Sequence, residues 1–212
     1  MTEEFSELEK KKEDKFQRRL GLTIALIAAI FSITSLVSSK FSSNQSSADL
    51  KIAYMHDWYN TKGIKQNLAE GQRDLLKALL ESGTIAKDRV ATIEKNIEAT
   101  NANIARYKKE KNEMTLGSKM VGKENWAQDI EGKLGLIIGT RELARIVDGL
   151  GHALYFFHMS ALFFQLSLFM GALSLMMSEL KIRNILYWVL VSLGATGLFL
   201  AIYALLIGKS VG

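Results

Sequence analysis

The stretch from Leu20 to Ser39 reads LGLTIALIAAIFSITSLVSS and contains no charged side chain. A helix needs about 20 consecutive apolar residues to cross the hydrocarbon core of a bilayer. The length and composition of this stretch therefore predict a transmembrane helix over residues 20–39. The alternative is a cleaved signal peptide, because basic residues precede the stretch and Val37–Ser38–Ser39 resembles a cleavage site.

Two further charge-free segments lie near the C-terminal end of the sequence. No Asp, Glu, Lys or Arg occurs from Gly149 to Ser178, which predicts a second transmembrane helix at 151–178. We expect a long helix that begins near residue 141 to lead into it. Residues 179–184 (ELKIRN) form the predicted turn, and residues 185–208 form the predicted third transmembrane helix, followed by a short tail at 209–212.

The chain of 212 residues contains no proline and no cysteine. Proline interrupts helices, so its absence favours long helices and, with the apolar segments, an all-α integral membrane protein. The lack of cysteine excludes disulfides and thiolate chemistry. The net charge of +5 arises mostly beside the apolar segments. We interpret it as membrane topology and attraction to lipid headgroups, and predict no nucleic-acid partner.

Each predicted transmembrane helix carries a row of small side chains at steps of three and four residues, which is one face of a helix. Small faces let helix backbones approach closely, and this favours association in lipid, although small residues are also common in membrane helices without such a role. We predict that these rows serve helix packing or oligomerisation. They consist of Gly21, Ala25, Ala28, Ser32, Ser35 and Ser39 in the first helix, Ser167, Gly171, Ser174 and Ser178 in the second, and Gly197, Ala201, Ala204 and Gly208 in the third.

The polar region between the first two transmembrane helices, residues 40–150, predicts an extended helical hairpin or coiled coil in water. We expect residues 40–48 (KFSSNQSSA) to form a linker or a soft helix exit. A helical pattern follows to about Ser82, and Gly83 and Thr84 are expected to end this helix and to cap the next. The apolar face of this first helix consists of Ile64, Leu68, Leu75 and Leu79.

Residues 85–111 carry the clearest heptad pattern in the sequence. Its seam consists of Val90, Ile93, Ile97 and Ile104, with Thr100 and Tyr107 at intervening positions. The pattern extends over fewer than three heptads, so a hairpin with residues 50–82 and an intermolecular coiled coil both remain open. The sequence assigns no element to the glycine-rich residues 112–140.

Two apolar features of this polar region are candidate interaction sites. An aromatic cluster follows the first transmembrane helix, and it predicts either a docking patch or packing against the hairpin and lipid headgroups. The cluster consists of Tyr54, His56, Trp58 and Tyr59. The run from Leu134 to Ile138 is too short to cross a bilayer, so we expect it at the membrane interface or against the hairpin.

Basic residues near the ends of membrane helices favour the cytoplasmic side. The charged tail at residues 1–19 holds six Lys or Arg residues, and the turn at 179–184 adds Lys181 and Arg183. Five basic residues lie near the opposite ends: Lys40, Lys51, Arg141, Arg145 and Lys209. This difference predicts a cytoplasmic N-terminus and places residues 40–150 outside the cytoplasm.

The three histidines are His56, His152 and His158. The last two are six residues apart, whereas two metal ligands on one helix need a spacing of three or four. We interpret them as interfacial side chains that hydrogen-bond locally. The sequence has no phosphate-binding glycine loop, nucleophile elbow or zinc-helix motif. It therefore predicts no enzymatic activity, no cofactor and no metal site.

Four segments carry a family resemblance. They are Thr34–Lys40 (TSLVSSK), the polar stretch around Asn44, residues 58–66 (WYNTKGIKQ), and the long helix that runs into two closing spans from Phe156 to Leu206. In this order they resemble an uncharacterised bacterial membrane-protein family, domain of unknown function 4337. Gly63 stands where that family has Ser, and Asp57–Trp58 departs from its aromatic pattern. The resemblance implies the architecture and a bacterial inner membrane, but no activity and no site residues.

Three functional hypotheses follow from these features. The small rows, the heptad and the missing catalytic motifs favour a non-enzymatic structural or accessory membrane protein that self-associates or joins a larger complex. The first alternative is an oligomeric pore lined by Ser32, Ser35, Gln165 and Ser167, although Gln165 more often hydrogen-bonds between helices. The second alternative is a small redox or haem-associated subunit that uses His152 or His158.

Overall fold

A computed structural model describes residues 2–211 of the chain, with side chains described for residues 13–210. Within these residues the fold is all-α, with one isolated antiparallel bridge between Ile130 and Lys133 and no strand. Three of the helices are long and apolar enough to cross a membrane. The helices are α1 (Thr2–Glu81), α2 (Lys87–Leu116), α3 (Ser118–Val121), α4 (Thr140–Met176) and α5 (Leu180–Val211), with a 3-10 turn at Lys123–Asn125.

Helix α1 continues through the predicted linker at residues 40–48. The expectation of a linker there is wrong because this stretch is polar but contains neither glycine nor proline, so nothing in it stops a helix. The helix ends where predicted, since Gly83 adopts a left-handed φ of 67°. Thr84 does not cap the next helix. Its hydroxyl bonds to that of Ser82 at 2.7 Å, and Ala86 occupies the N-cap of α2.

The connection between α4 and α5 is shorter than the sequence predicts. Only residues 177–179 leave the helical conformation, and residues 180–184 already belong to α5. Helix α5 also continues past residue 208 into the predicted tail, whose last residue lies outside the described part of the chain. The residue types at 180–184 are compatible with a helix, so the predicted turn extends too far into α5.

The chain divides into two compact units. The first, termed the three-helix unit, contains Met1–Ser46 and Asp148–Gly212, and the second, termed the hairpin unit, contains Ser47–Val147. In the three-helix unit, four buried side chains form a hydrophobic cluster: Leu20, Ile27, Phe164 and Leu190. Phe16, Ile24 and Phe31 of α1 and Tyr187 of α5 pack around this cluster.

In the hairpin unit, α2 packs antiparallel to α1. The predicted seam lies on the covered side of α2: Ile104 is buried, and Val90, Ile93 and Ile97 are partly buried. Lys62 and Glu110 form an ion pair across the hairpin at 2.5 Å. This arrangement corresponds to the hairpin alternative for the heptad pattern.

The side of α1 that faces α2 differs from the predicted apolar face. Ala69 is buried, and Leu76 and Leu80 are partly buried. The four predicted residues share a face as their spacing requires, but that face is exposed: Ile64, Leu68, Leu75 and Leu79. Successive helix residues are separated by about 100° of rotation, so the covered face neighbours the predicted one.

Candidate functional site

Two glycines join the ends of the long loop in the hairpin unit. A Cβ atom on Gly117 would lie 2.8 Å from the backbone nitrogen of Gly139, and a Cβ atom on Gly139 would collide with the backbone of Leu116 and Gly117. The backbone nitrogen of Ser118 donates a hydrogen bond to the oxygen of Ile137 at 2.9 Å. This backbone contact, which we term the glycine clasp, holds the end of α2 against the start of α4.

A buried carboxylate fixes the loop that the glycine clasp closes. Glu113 is fully buried, and its Oε1 accepts a hydrogen bond from the hydroxyl of Ser118 at 2.7 Å. Its Oε2 accepts hydrogen bonds from the backbone nitrogens of Ala127 and Gln128 at 2.9 and 2.8 Å. A buried charge is stable only when it is hydrogen-bonded in this way. Glu113 therefore has a structural role, which the sequence did not reveal.

Trp126 completes this loop. Its indole nitrogen donates a hydrogen bond to the backbone oxygen of Ser118 at 2.7 Å. Its ring lies against Gly135, and a Cβ atom on Gly135 would stand 2.6 Å from the ring. Gly135 also has a left-handed φ of 83°. Residues 126–139 form no helix or strand, so these side-chain contacts add to the few backbone hydrogen bonds that hold the loop in place.

An apolar groove forms between α1 and this loop. Tyr54 and Trp58 of α1 line it together with Leu136 and Ile138 of the loop, and its volume is about 280 Å³. The structure therefore brings together half of the predicted aromatic cluster and the predicted apolar run from Leu134 to Ile138. His56 is exposed, and Tyr59 lines a different cleft.

That second cleft is polar and basic. Its volume is about 420 Å³, and Lys108 and Lys111 of α2 line it together with Arg141 of α4. The ammonium group of Lys111 lies 4.6 Å from the centroid of the Tyr59 ring and 3.4 Å from the side-chain oxygen of Gln66. This cleft is absent from the features predicted from the sequence. Its only local signal is the spacing of three between the two lysines, which puts them on one helix face.

In the three-helix unit, the small residues of α4 and α5 pack against each other. Serine hydroxyls at a spacing of seven on α4 donate to backbone oxygens at a spacing of seven on α5. The pairs are Ser160–Gly197 at 2.7 Å, Ser167–Leu190 at 2.7 Å and Ser174–Arg183 at 3.2 Å. We term this set the serine ladder, and its constant register defines an antiparallel helix pair. Ser160 lies outside the predicted row, although its spacing of seven from Ser167 was a usable signal.

The predicted row on α5 lies inside the same unit. Gly197 faces the ring of Phe164, and a Cβ atom there would stand 3.1 Å from it. Gly208 lies against the ring of Phe41, and Ala201 and Ala204 are buried. On α4, Gly171 is buried by Leu190 and Ile24, whereas Ser178 is exposed. These small residues therefore pack helices within one chain.

The predicted row on α1 differs, because it has no partner within the described chain. Ala28 is partly buried, and Gly21, Ala25, Ser32, Ser35 and Ser39 are exposed. Nothing lies within 4 Å of the position that a Cβ atom on Gly21 would occupy. The neighbouring face of the helix, one residue earlier at each step, carries Leu20, Ile27 and Thr34, which are buried.

The end of the three-helix unit where α5 begins contains a buried arginine. Arg183 donates a hydrogen bond from Nη1 to the Oε1 of Glu13 at 3.0 Å, and its guanidinium carbon lies 4.7 Å from the centroid of the Phe16 ring. Glu13 of α1 and the α4–α5 turn therefore lie at the same end of this unit.

The remaining predicted side chains are placed as follows. His152 and His158 are exposed, and so is Gln165. Among residues 13–210, no group of three or more His, Asp or Glu side chains is arranged to hold a metal ion. The hydroxyl of Ser167 is used in the serine ladder, so in this conformation it is not available to line a pore.

These features define an all-α protein with three long apolar helices and a helical hairpin unit. The family model described as domain of unknown function (DUF4337) matches residues 16–207, and the chain belongs to this family. The family resemblance predicted from the sequence is confirmed. No curated protein and no solved structure matches the chain.

Proposed function

We propose that this chain is a non-enzymatic integral membrane protein that acts as a structural or accessory component and self-associates or joins a larger complex. The observation that carries the proposal is the distribution of side chains in the three-helix unit. Ser160, Ser167 and Ser174 are fully buried, whereas Leu36 and Phe199 are 73% and 68% exposed. A protein surrounded by water buries large apolar groups, so this reversed distribution suits a lipid environment.

The proposed topology has three crossings, formed by parts of α1, α4 and α5. The ion pair between Glu13 and Arg183 supports this topology. In a chain with three crossings, the N-terminal tail and the α4–α5 turn must lie on the same side of the membrane. The excess of basic residues at these two sites favours a cytoplasmic N-terminus in the inner membrane of a bacterium, with residues 40–150 on the outer side.

Self-association is supported by two faces of α1 that have no partner among residues 13–210. The small row between Gly21 and Ser39 is one such face, and the apolar row from Ile64 to Leu79 in the hairpin unit is another. Small rows allow close helix contact in lipid, and apolar rows at helical spacing form helix–helix interfaces in water. A second copy of the chain or another helical subunit fits both requirements.

A structural or accessory role is also supported by the use of the polar groups. The carboxylate of Glu113 bonds to three donors of the loop, and Glu110 is paired with Lys62 and Arg106. These buried acids maintain the hairpin unit, and a general acid or base would instead need access to a substrate.

Disulfide cross-linking in the native membrane tests self-association through α1. The chain has no cysteine, so each introduced cysteine reports on one position. Ser32 and Thr34 are a matched pair, because each hydroxyl donates to the backbone carbonyl four residues earlier at 2.9 Å. They differ in exposure, since Ser32 is exposed and Thr34 is only 8% exposed. We expect oxidation to link two copies of the Ser32→Cys variant, and to leave the Thr34→Cys variant as a monomer.

Native mass spectrometry from mild detergent extends the test to other partners. We expect a homo-oligomer or a complex with a second protein. A monomer without any partner, together with no cross-link at Ser32, would overturn the proposal. Cross-linking of the Ser32→Cys and Thr34→Cys variants to the same extent would place the contact elsewhere than on the small row.

A further inference from the structure

The basic cleft of the hairpin unit contains three cations and no carboxylate. Lys108, Lys111 and Arg141 line it, and its other lining residues are uncharged: Tyr59, Gln66, Asn112, Thr115 and Leu116. Within the part of the chain whose side chains are described, neither Lys108 nor Arg141 has a carboxylate within 4 Å. Three like charges around one cavity repel each other, so the cleft favours a bound anion.

Three acidic side chains near the cleft, Glu70, Glu110 and Glu113, already have other partners. Glu110 is already paired with Lys62 at 2.5 Å and with Arg106 at 3.4 Å. Glu113 accepts hydrogen bonds from the hydroxyl of Ser118 and from two backbone nitrogens of the loop. Glu70 accepts a hydrogen bond from the side-chain amide of Gln66 and forms no ion pair with the three cations. Because these carboxylates have other partners, the positive charge of the cleft remains available to a ligand.

Lys111 is held in place before any ligand binds. Its ammonium group contacts the face of the Tyr59 ring and the side-chain oxygen of Gln66, and these contacts leave further N–H bonds free. Gln66 is fixed in turn, because its amide nitrogen donates to Glu70 at 2.9 Å. A cation that is already positioned loses less conformational entropy on binding than a free surface lysine.

The two helix ends at the cleft bring partial charges of opposite sign. The C-terminal end of α2, at Thr115 and Leu116, brings partial negative charge, and the N-terminal end of α4, at Arg141, brings partial positive charge. The side chains therefore decide the sign of the potential. Arginine forms two parallel hydrogen bonds to phosphate oxygens, and lysine binds phosphate as a point charge.

We infer that this cleft is a binding site for a phosphate-bearing anion, contacted by Lys108, Lys111 and Arg141. Its volume of about 420 Å³ lies within the range of small-ligand sites and leaves room for more than a single phosphate group. The phosphate is supplied either by a soluble phosphate compound or by an anionic lipid headgroup, and both present the same chemistry to these three side chains.

Calorimetric titration of the full chain in nonionic detergent tests the inference. One arm uses inorganic pyrophosphate, and the other uses phosphatidylglycerol added to the micelles, with phosphatidylcholine as a neutral reference. We expect saturable binding in at least one arm. Pyrophosphate binding assigns a soluble ligand, and binding of phosphatidylglycerol alone assigns a lipid headgroup.

Variants of the cleft then identify the site. Lys111→Gln and Arg141→Gln are each expected to weaken binding by about tenfold or more, since a hydrogen bond between charged groups contributes at least one factor of ten. Arg141→Lys keeps the charge and should weaken binding less. The control is Lys95→Gln, which changes an exposed lysine on α2 outside the cleft. Absence of binding in both arms, or an equal loss in the control, would overturn the inference.

Discussion

A Cβ atom on Gly117 would lie 2.8 Å from the backbone nitrogen of Gly139, so the end of α2 and the start of α4 are in direct backbone contact. No other residue type permits this approach at either position. The contact aligns the elements that carry Lys111 and Arg141, and it closes the loop that lines the apolar groove. Both clefts of the hairpin unit therefore depend on one pair of glycines.

We expect Gly139→Ala to destabilise the hairpin unit by about 1–3 kcal/mol, the usual cost of forcing extra atoms into a packed site. The control is Gly71→Ala, since Gly71 lies in α1 with nothing within 4 Å of its Cβ position. This control should stabilise the chain by about 0.5–1 kcal/mol, because alanine is a better helix former than glycine. Denaturant unfolding of the two variants measures both values. Shifts of the same sign would contradict the importance of the clasp.

Glu113→Gln should loosen the loop, although the replacement side chain has nearly the same size and shape. The amide that replaces the carboxylate has one acceptor oxygen, so it cannot accept all three hydrogen bonds from the hydroxyl of Ser118 and the backbone nitrogens of Ala127 and Gln128. The bonds that remain go to a neutral acceptor and are weaker. We expect a loss of about 1.5–3 kcal/mol, the range for hydrogen bonds to charged groups. Amide hydrogen exchange at Ala127 and Gln128 should accelerate strongly. Glu98→Gln, at an exposed position on α2, should leave both rates unchanged.

The main helices of the chain could be predicted from its sequence because their signals are local. A stretch without charge, such as residues 20–39, is long enough for a membrane helix whatever it packs against, and Gly83 ends α1 through its own left-handed backbone. The polar residues 40–48 misled the prediction. Polarity distinguishes exposed from buried segments but does not by itself interrupt a helix, and this stretch contains neither glycine nor proline.

Most of the candidate site could not be predicted, because its residues are distant in sequence. Arg141 follows Lys111 by thirty residues, and their proximity depends on the glycine clasp. The packing face of α1 was missed for a related reason. Leu68 and Leu75 form the stronger apolar pattern, but α2 selects the neighbouring face around the small Ala69. Periodicity identifies candidate faces, and the partner helix determines which of them is covered.

The serine ladder predicts a modest and additive contribution to the pairing of α4 and α5. Ser167→Ala removes one hydrogen bond to the backbone oxygen of Leu190 and should cost about 0.6 kcal/mol, the average for such bonds between membrane helices. Replacing Ser160, Ser167 and Ser174 together should cost about three times as much. Ser192→Ala is the control, because this hydroxyl donates within its own helix and is exposed. Detergent-based unfolding measurements should separate the triple variant from the control, and equal stabilities would show that the ladder is dispensable.

Cysteine labelling tests the proposed topology, because the chain has no native cysteine. Ser82 lies in the α1–α2 connection and Ser178 in the α4–α5 turn, and both are exposed. With three crossings and a cytoplasmic N-terminus, a membrane-impermeant maleimide added to intact cells should label the Ser82→Cys variant and spare the Ser178→Cys variant. Both should react after permeabilisation, which controls for the reactivity of each thiol. If the Ser178→Cys variant is labelled and the Ser82→Cys variant is spared, the N-terminus lies outside the cytoplasm and the proposed orientation is wrong. If both variants are labelled in intact cells, Ser82 and Ser178 lie on the same side of the membrane. The charge-free part of α4 then does not cross the membrane between these two sites, and the proposed topology is wrong.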